Sequence, residues 1–142
     1  MVQLIYVSYS SQDFSLEELP DILRKSVENN KKDDITGMLL YAGECFIQVL
    51  EGPLEKVEQR YEIIKKDPRH EDCRIVDKRM IERRAFPTWS MSFNDLNTIN
   101  KDELEGFSDF LSQNPTSEAL LRAPNEVYQL LVRFKERNSN ID

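Results

Sequence analysis

The chain has 142 residues, with 19 Lys and Arg against 26 Asp and Glu and a net charge of −7. That length suits one domain with a single real core, and the acidic balance argues against a nucleic-acid or anionic-membrane surface as the main partner. No apolar run approaches the roughly eighteen residues of a membrane span, and the N-terminus enters a strand pattern without a basic and then apolar leader, so a cytoplasmic location and no membrane contact are expected. Cys45 and Cys73 lack Cys-x-x-Cys spacing and the single His70 completes no zinc set, so both cysteines read as reduced, packed thiols and no metal is expected. Four glycines supply no Gly-rich phosphate loop.

In chain order, Val2 to Tyr9 reads as a strand in which Leu4, Tyr6 and Ser8 share one face and Ile5, Val7 and Tyr9 the other. A turn follows over Ser10 to Ser15. Ser15 and Glu18 have capping-box spacing for a helix running to about Asn30, although Pro20 would fall in its second turn and can itself mark the start of regular helix. Leu16, Leu19, Ile22, Leu23 and Val27 give this helix one buried stripe, which Ser26 and Asn30 continue. Those two are either a plain helix terminus or a polar pair aimed at something in the core.

Ile35 to Gly52 forms two apolar runs hinged at Ala42-Gly43-Glu44, the pattern of a buried β-hairpin. Gln48 interrupts the second run, where an unpaired buried amide would cost about 1–3 kcal/mol, so it requires a partner. Pro53 opens a second helix with Leu54, Val57, Tyr61 and Ile64 inward, and Pro68 ends it. Arg74 to Ile81 reads as a further strand and Thr88 to Phe93 as a short last one, with Lys78, Arg79, Arg83 and Arg84 as a solvated edge and flank. Beyond them, Lys101 to Gln113 and Asn125 to about Arg137 carry helical apolar patterns.

The order predicts an α+β, ferredoxin-like βαββαβ fold with an added fifth strand. Two helices would lie on one sheet face and the C-terminal helices on the other, with the first and third strands central. Tyr6 and Gln48 then sit on adjacent strands, where a phenol and an amide can pair. The pair is either simple satisfaction of buried polar groups or, with Ser26 and Asn30 arriving from the first helix, the polar set of a ligand cleft. A second reading is a small ferredoxin-like hydrolase of the acylphosphatase type, but the Ser10 to Ser15 turn has neither the Gly nor the Arg of an anion-binding loop.

Five motifs in order carry a family resemblance: Leu4-Ile5-Tyr6-Val7-Ser8; Asn29-Asn30 followed by Ile35-Thr36-Gly37; Phe46-Ile47-Gln48-Val49-Leu50-Glu51-Gly52; Asp67-Pro68-Arg69-His70; and Trp89-Ser90-Met91. Over residues 2–94 they resemble the BLUF domain, the sensor of blue light using flavin adenine dinucleotide. The resemblance implies a photosensor domain over residues 1–94 and a C-terminal helical segment over 95–142. It also implies a flavin between the first two helices, FAD with FMN or riboflavin as substitutes. Tyr6, Ile22, Ser26, Asn30, Leu39, Phe46, Gln48, Ile64, Asp67, Arg69 and His70 would line its site, with Asn29 of little consequence. Tyr6 would be the electron and proton donor and Gln48 the switch. Trp89 and Met91 would relay the signal, or else belong to an ordinary aromatic strand. The expectation is a short stand-alone photoreceptor rather than an enzyme, acting through its C-terminal helices, an oligomer interface or a partner protein.

Overall fold

In a computed structural model that describes residues 1–11, 17, 19–42, 44–87, 93–95 and 116–139, the N-terminal run becomes strand β1, Val2–Ser10, buried along nearly all its length. Helix α1, Leu19–Lys32, follows with Pro20 in its first turn, where a missing N–H does no harm. Its C-terminus closes as a Schellman motif. The Ile35 N–H reaches the Asn30 carbonyl at 2.9 Å and the Asp34 N–H reaches that of Lys31 at 3.3 Å, with Asp34 in the left-handed region at φ 57°. The hairpin strands are β2, Thr36–Ala42, and β3, Cys45–Gly52. Helix α2, Leu54–Lys66, leads to β4, His70–Met80, and the chain continues through β5, Phe93–Asp95, a short α3, Ser117–Leu121, and α4, Pro124–Ser139.

The sheet order is β4-β1-β3-β2-β5. The first four strands are antiparallel, as expected, and β1 and β3 are interior; β5 joins the edge of β2 in parallel. Alternation along the strands separates two cores. On one face Ile5, Val7, Ile47 and Val49 meet Leu120 of α3 and Val127, Leu130, Leu131 and Phe134 of α4. On the other, Leu4, Tyr6 and Leu50 meet Val57 and Tyr61 of α2. Burial of each large apolar side chain removes about 1.5–3 kcal/mol of unfavourable hydration, so each helix is held by the face it covers.

Several boundaries differ from expectation. β4 starts at His70 rather than Arg74, because the turn after α2 closes on itself: the Asp67 N–H bonds the Ile64 carbonyl and the His70 N–H bonds that of Asp67, which delivers the chain straight into the sheet. Leu54, at the start of α2, is exposed rather than inward. The described last strand covers 93–95, while residues 88–92, the 101–113 segment and the Ser15–Glu18 pair lie outside the described residues. Helix α3 was not foreseen; Thr116 caps it by accepting from the Ala119 N–H at 3.2 Å.

The basic flank is also more than a solvated edge. Lys78 and Arg79 pair with Glu58 and Asp77, and Arg84 donates to the Asp34 carbonyl at 2.8 Å, to Thr36 Oγ1 at 2.8 Å and to the Glu51 carbonyl at 3.1 Å. Glu51, fully buried, accepts from Gln3 Nε2 at 2.8 Å, the Ala85 N–H at 3.1 Å and the Phe86 N–H at 2.6 Å. The segment after β4 is thereby tied to the end of β3. Gly52 permits the close approach of the α1–β2 turn, since a Cβ there would stand 2.8 Å from the Asp34 carbonyl oxygen. Among the described residues no helix is long and apolar enough to cross a membrane, and no cluster of His, Cys, Asp and Glu could hold a metal ion.

Candidate functional site

The register of β1 and β3 sets Tyr6 directly opposite Gln48, and that of β2 and β3 sets Leu39 on its other side. The Tyr6 hydroxyl donates to Gln48 Oε1, so the misfit amide has its partner. Burial first, and then the nearby Cys73, Tyr61 and Asp67, pushes the Tyr6 phenol well above its ordinary range, which keeps it protonated. Tyr61 packs against it with ring centroids 5.3 Å apart.

Above this pair lies a partly open cleft between α1 and α2. Of the residues expected at a site, Tyr6, Ser26, Asn30, Leu39, Gln48, Ile64, Asp67, Arg69 and His70 line it together. Phe46 is buried beside it, packed with Leu39 and Tyr41 and with its ring 4.9 Å from that of His70. The side chain of Ile22, and Trp89 and Met91, lie outside the described residues. Lys25, Asn29, Leu50, Arg60 and Ile63 also line the cleft and were not expected to. Asn29, expected to be of little consequence, lines the same opening as Ser26.

Asn30 is 2% exposed and its Oδ1 is buried with no partner among the described residues. An orphaned buried acceptor costs about 1–3 kcal/mol, so a donor is wanted there. At the side of the cleft, Asp67 grips Arg69, accepting from its Nε and its backbone N–H, both at 2.9 Å. Burial pulls the Asp67 carboxyl upward, but those bonds and the Arg69 charge outweigh it and hold the group below its usual value. His70, the first residue of β4, meets Ser8 Oγ through Nδ1 at 2.8 Å, and burial lowers its pKa to about 4 despite the attraction of Asp67. It is therefore neutral at physiological pH.

The fold, the tyrosine–glutamine pair and the amide-lined cleft define a class: a small α+β domain with a polar cleft between two helices on one sheet face. The sequence model described as "Sensors of blue-light using FAD" (BLUF) matches residues 1–92, and the chain belongs to this family of flavin-binding blue-light sensors. Photoactivated adenylate cyclase subunit beta of Euglena longa is 36% identical over 93 residues, 65% of this chain and 11% of that protein. The chain thus spans about a tenth of the length of the cyclase subunits it matches. The structure of a BLUF protein, BlrB, in its dark state aligns with TM-score 0.76 and 29% identity over 96% of both chains. A bacterial light-regulated adenylyl cyclase aligns with TM-score 0.72 and 37% identity over 78% of this chain and 33% of its own. The acylphosphatase-type reading finds no support among these relatives.

The residues present fit a flavin. Leu39, Leu50, Ile63 and Ile64 offer apolar contact to a planar ring, while Asn30 and Gln48 offer amides to its edge, which carries both N–H and carbonyl groups. The unmet Asn30 Oδ1 suits the ring N–H.

Proposed function

We propose that this chain is a cytoplasmic blue-light receptor that holds FAD in the cleft between α1 and α2 and reports illumination through a change in the hydrogen bonds of Gln48. The observation that carries this reading is the buried, unpartnered Asn30 Oδ1 facing the cleft beside an amide already bonded to a phenol. When bound, a flavin absorbs blue light and becomes a stronger oxidant. Tyr6 is an oxidisable side chain lining the cleft, and its hydroxyl already donates to Gln48 Oε1. Tyr6 would be the electron and proton donor to the excited flavin, and Gln48, bonded to the Tyr6 hydroxyl, the group whose hydrogen bonds rearrange. An amide suits this role because its donor and acceptor ends exchange without a change of charge.

Asn30 would hold the ring edge, with Ser26 in support, and Asp67, Arg69 and His70 would close the side. Trp89 and Met91 would carry the change onward. Leu39 supports that route, because it pairs with Gln48 on one side and with Phe93 of β5 on the other. Beyond β5, the receiver would be the C-terminal helical segment over 95–142, a second copy of the chain or a partner protein.

The purified protein should be yellow and shift its flavin absorption to the red under blue light, recovering in the dark. Tyr6→Phe and Gln48→Leu should keep the flavin and lose the shift. Colourless protein that takes up no added flavin would overturn the reading, as would an unaltered photocycle in Gln48→Leu.

A further inference from the structure

The turn between α1 and β2 is where the two walls of the cleft meet. Arg60 of α2 donates through Nη2 to Asp33 Oδ2 at 2.7 Å, which ties the second helix to the end of the first. Asn30, whose Oδ1 is buried without a partner among the described residues, closes α1 with its carbonyl, which accepts the Ile35 N–H at 2.9 Å and the Asp33 N–H at 3.2 Å. Asp34 then takes φ 57°, a left-handed backbone that a residue with a Cβ rarely adopts and that its surroundings must hold in place.

The group that holds it is the Arg84 guanidinium, whose side chain is 15% exposed. Its Nη2 donates to the Asp34 carbonyl at 2.8 Å and stands 3.1 Å from Asp34 Oδ2, while Nη1 donates to Thr36 Oγ1 at 2.8 Å and to the Glu51 carbonyl at 3.1 Å. One planar fork thus joins the end of α1, the start of β2 and the end of β3, a geometry that the compact ammonium of a lysine does not reproduce. The next two residues carry the connection to the other face of the sheet. Glu51 fixes the Ala85 and Phe86 N–H groups, the Ala85 carbonyl accepts from Lys135 Nζ of α4 at 2.8 Å, and Phe86 packs in the core that α4 seals. A continuous bonded path therefore runs round the strand ends, from the cleft on one face to α4 on the other.

We propose that Arg84 is a positioning residue that couples the cleft to α4. A ligand that fixes Asn30 fixes the turn, the turn fixes Arg84, and the 84–86 segment then seats α4 more firmly. This path leaves the cleft at Asn30 and is separate from the one through Gln48, Leu39 and β5. The inference takes its ligand from the flavin reading above and names a regulation of that site. Such a coupling is reciprocal, so weaker seating of α4 weakens ligand binding by the same factor.

The test is hydrogen exchange of the α4 amides from Val127 to Lys135 in the full-length protein, flavin-depleted and saturated with FAD, both in the dark. In the wild type FAD should slow their exchange at least about fivefold, the low end of coupling between sites. Arg84→Ala should bring that ratio close to one, and Arg84→Lys should leave it well below the wild-type value. The β1 and β3 amides, which open only with the whole fold, should stay slowed by FAD in each variant, since ligand binding alone protects against global unfolding. That contrast separates lost coupling from lost stability. Should Arg84→Ala fail to fold, Lys135→Met carries the test from the far side of the sheet: it leaves the Arg84 bonds in place and should raise the FAD dissociation constant about threefold or more. Wild-type α4 exchange indifferent to FAD, equal slowing of α4 in wild type and Arg84→Ala, or unchanged FAD affinity in Lys135→Met would each overturn the coupling while leaving flavin binding intact. Failure of FAD to bind the wild type would overturn the flavin reading and the coupling together.

Discussion

On one face of β1 and β3, Ile5, Val7, Ile47 and Val49 are sealed beneath α3 and α4 by Leu120, Leu130, Leu131 and Phe134, and all of these are buried. One step along the same strands, Tyr6 and Gln48 face the cleft, where among the described residues Asn30 keeps an unpartnered acceptor and Arg60 an unpartnered donor. The sealed face is where folding free energy is gathered. The cleft face retains polar groups whose needs the described residues do not meet. A sheet with period-two alternation can keep these tasks apart on a single pair of strands, and the two are joined at the end of β3. There Glu51, three residues beyond Gln48, binds the Ala85 and Phe86 amides, Phe86 packs in the sealed core, and Lys135 of α4 donates to the Ala85 carbonyl at 2.8 Å.

Damage to the sealed face should therefore cost stability before it costs ligand chemistry. Phe134→Ala should lose about 3–5 kcal/mol in urea unfolding, while the fraction that remains folded takes up flavin normally. Loss of flavin binding at unchanged stability would break the separation of the faces. Glu51→Ala should cost about 3 kcal/mol, because it leaves the buried Phe86 N–H, the half-buried Ala85 N–H and Gln3 without their acceptor. If the junction at Glu51 links the faces, that variant should also alter the dark recovery of the photocycle, which Phe134→Ala should not.

Legibility in the sequence divided along the same line. The two-sided strands, the β1–β3 pairing and the opposition of Tyr6 and Gln48 follow from alternation and connection order, both of which act through local patterns. Asn30 was legible as a polar residue continuing an apolar stripe. Glu51 was not, since a glutamate beside a Gly-Pro pair looks like a strand end and its donors come from backbone 34 and 35 residues on. Arg60 was hidden for a similar reason: a charged residue on an amphipathic helix reads as solvent-facing, and nothing local in the sequence shows that its Nε is buried. The early start of β4 depends on turn hydrogen bonds at Asp67 and His70 that leave no trace in hydrophobic periodicity.

His70 sharpens the contrast through pH. Burial depresses its pKa from 6.5 to about 4 in the folded chain. As pH falls below 6.5 the unfolded chain binds a proton that the folded chain refuses, so stability falls with pH across that window and the loss is complete near pH 4. The expected loss is up to about 3 kcal/mol at 1.36 kcal/mol per unit. Asp67, whose folded pKa lies below its usual value, contributes stability that is lost only at lower pH. Unfolding measured at a fixed flavin concentration from pH 7 to 4 should be steep in the wild type and shallower in His70→Gln by that amount. An equal slope in both proteins would mean that the cleft side of β4 is wetter than its geometry implies.

The smallest effect tests the central claim about the cleft face, that its polar pair is kept for chemistry and not for stability. Tyr6→Phe removes a hydrogen bond and leaves Gln48 its other options, for a loss near 1 kcal/mol; Gln48→Leu leaves a buried hydroxyl without its acceptor and should cost somewhat more. With both changes the strands present two apolar groups of similar size, so the double variant should cost less than the sum of the singles, with a coupling of about 1 kcal/mol. Stability near that of the wild type in the double variant, with flavin retained and no light-induced shift, would show that the fold does not need the pair. If instead the double variant unfolds, Tyr6 and Gln48 hold the sheet together, and the cleft face would share the structural task assigned to the sealed one.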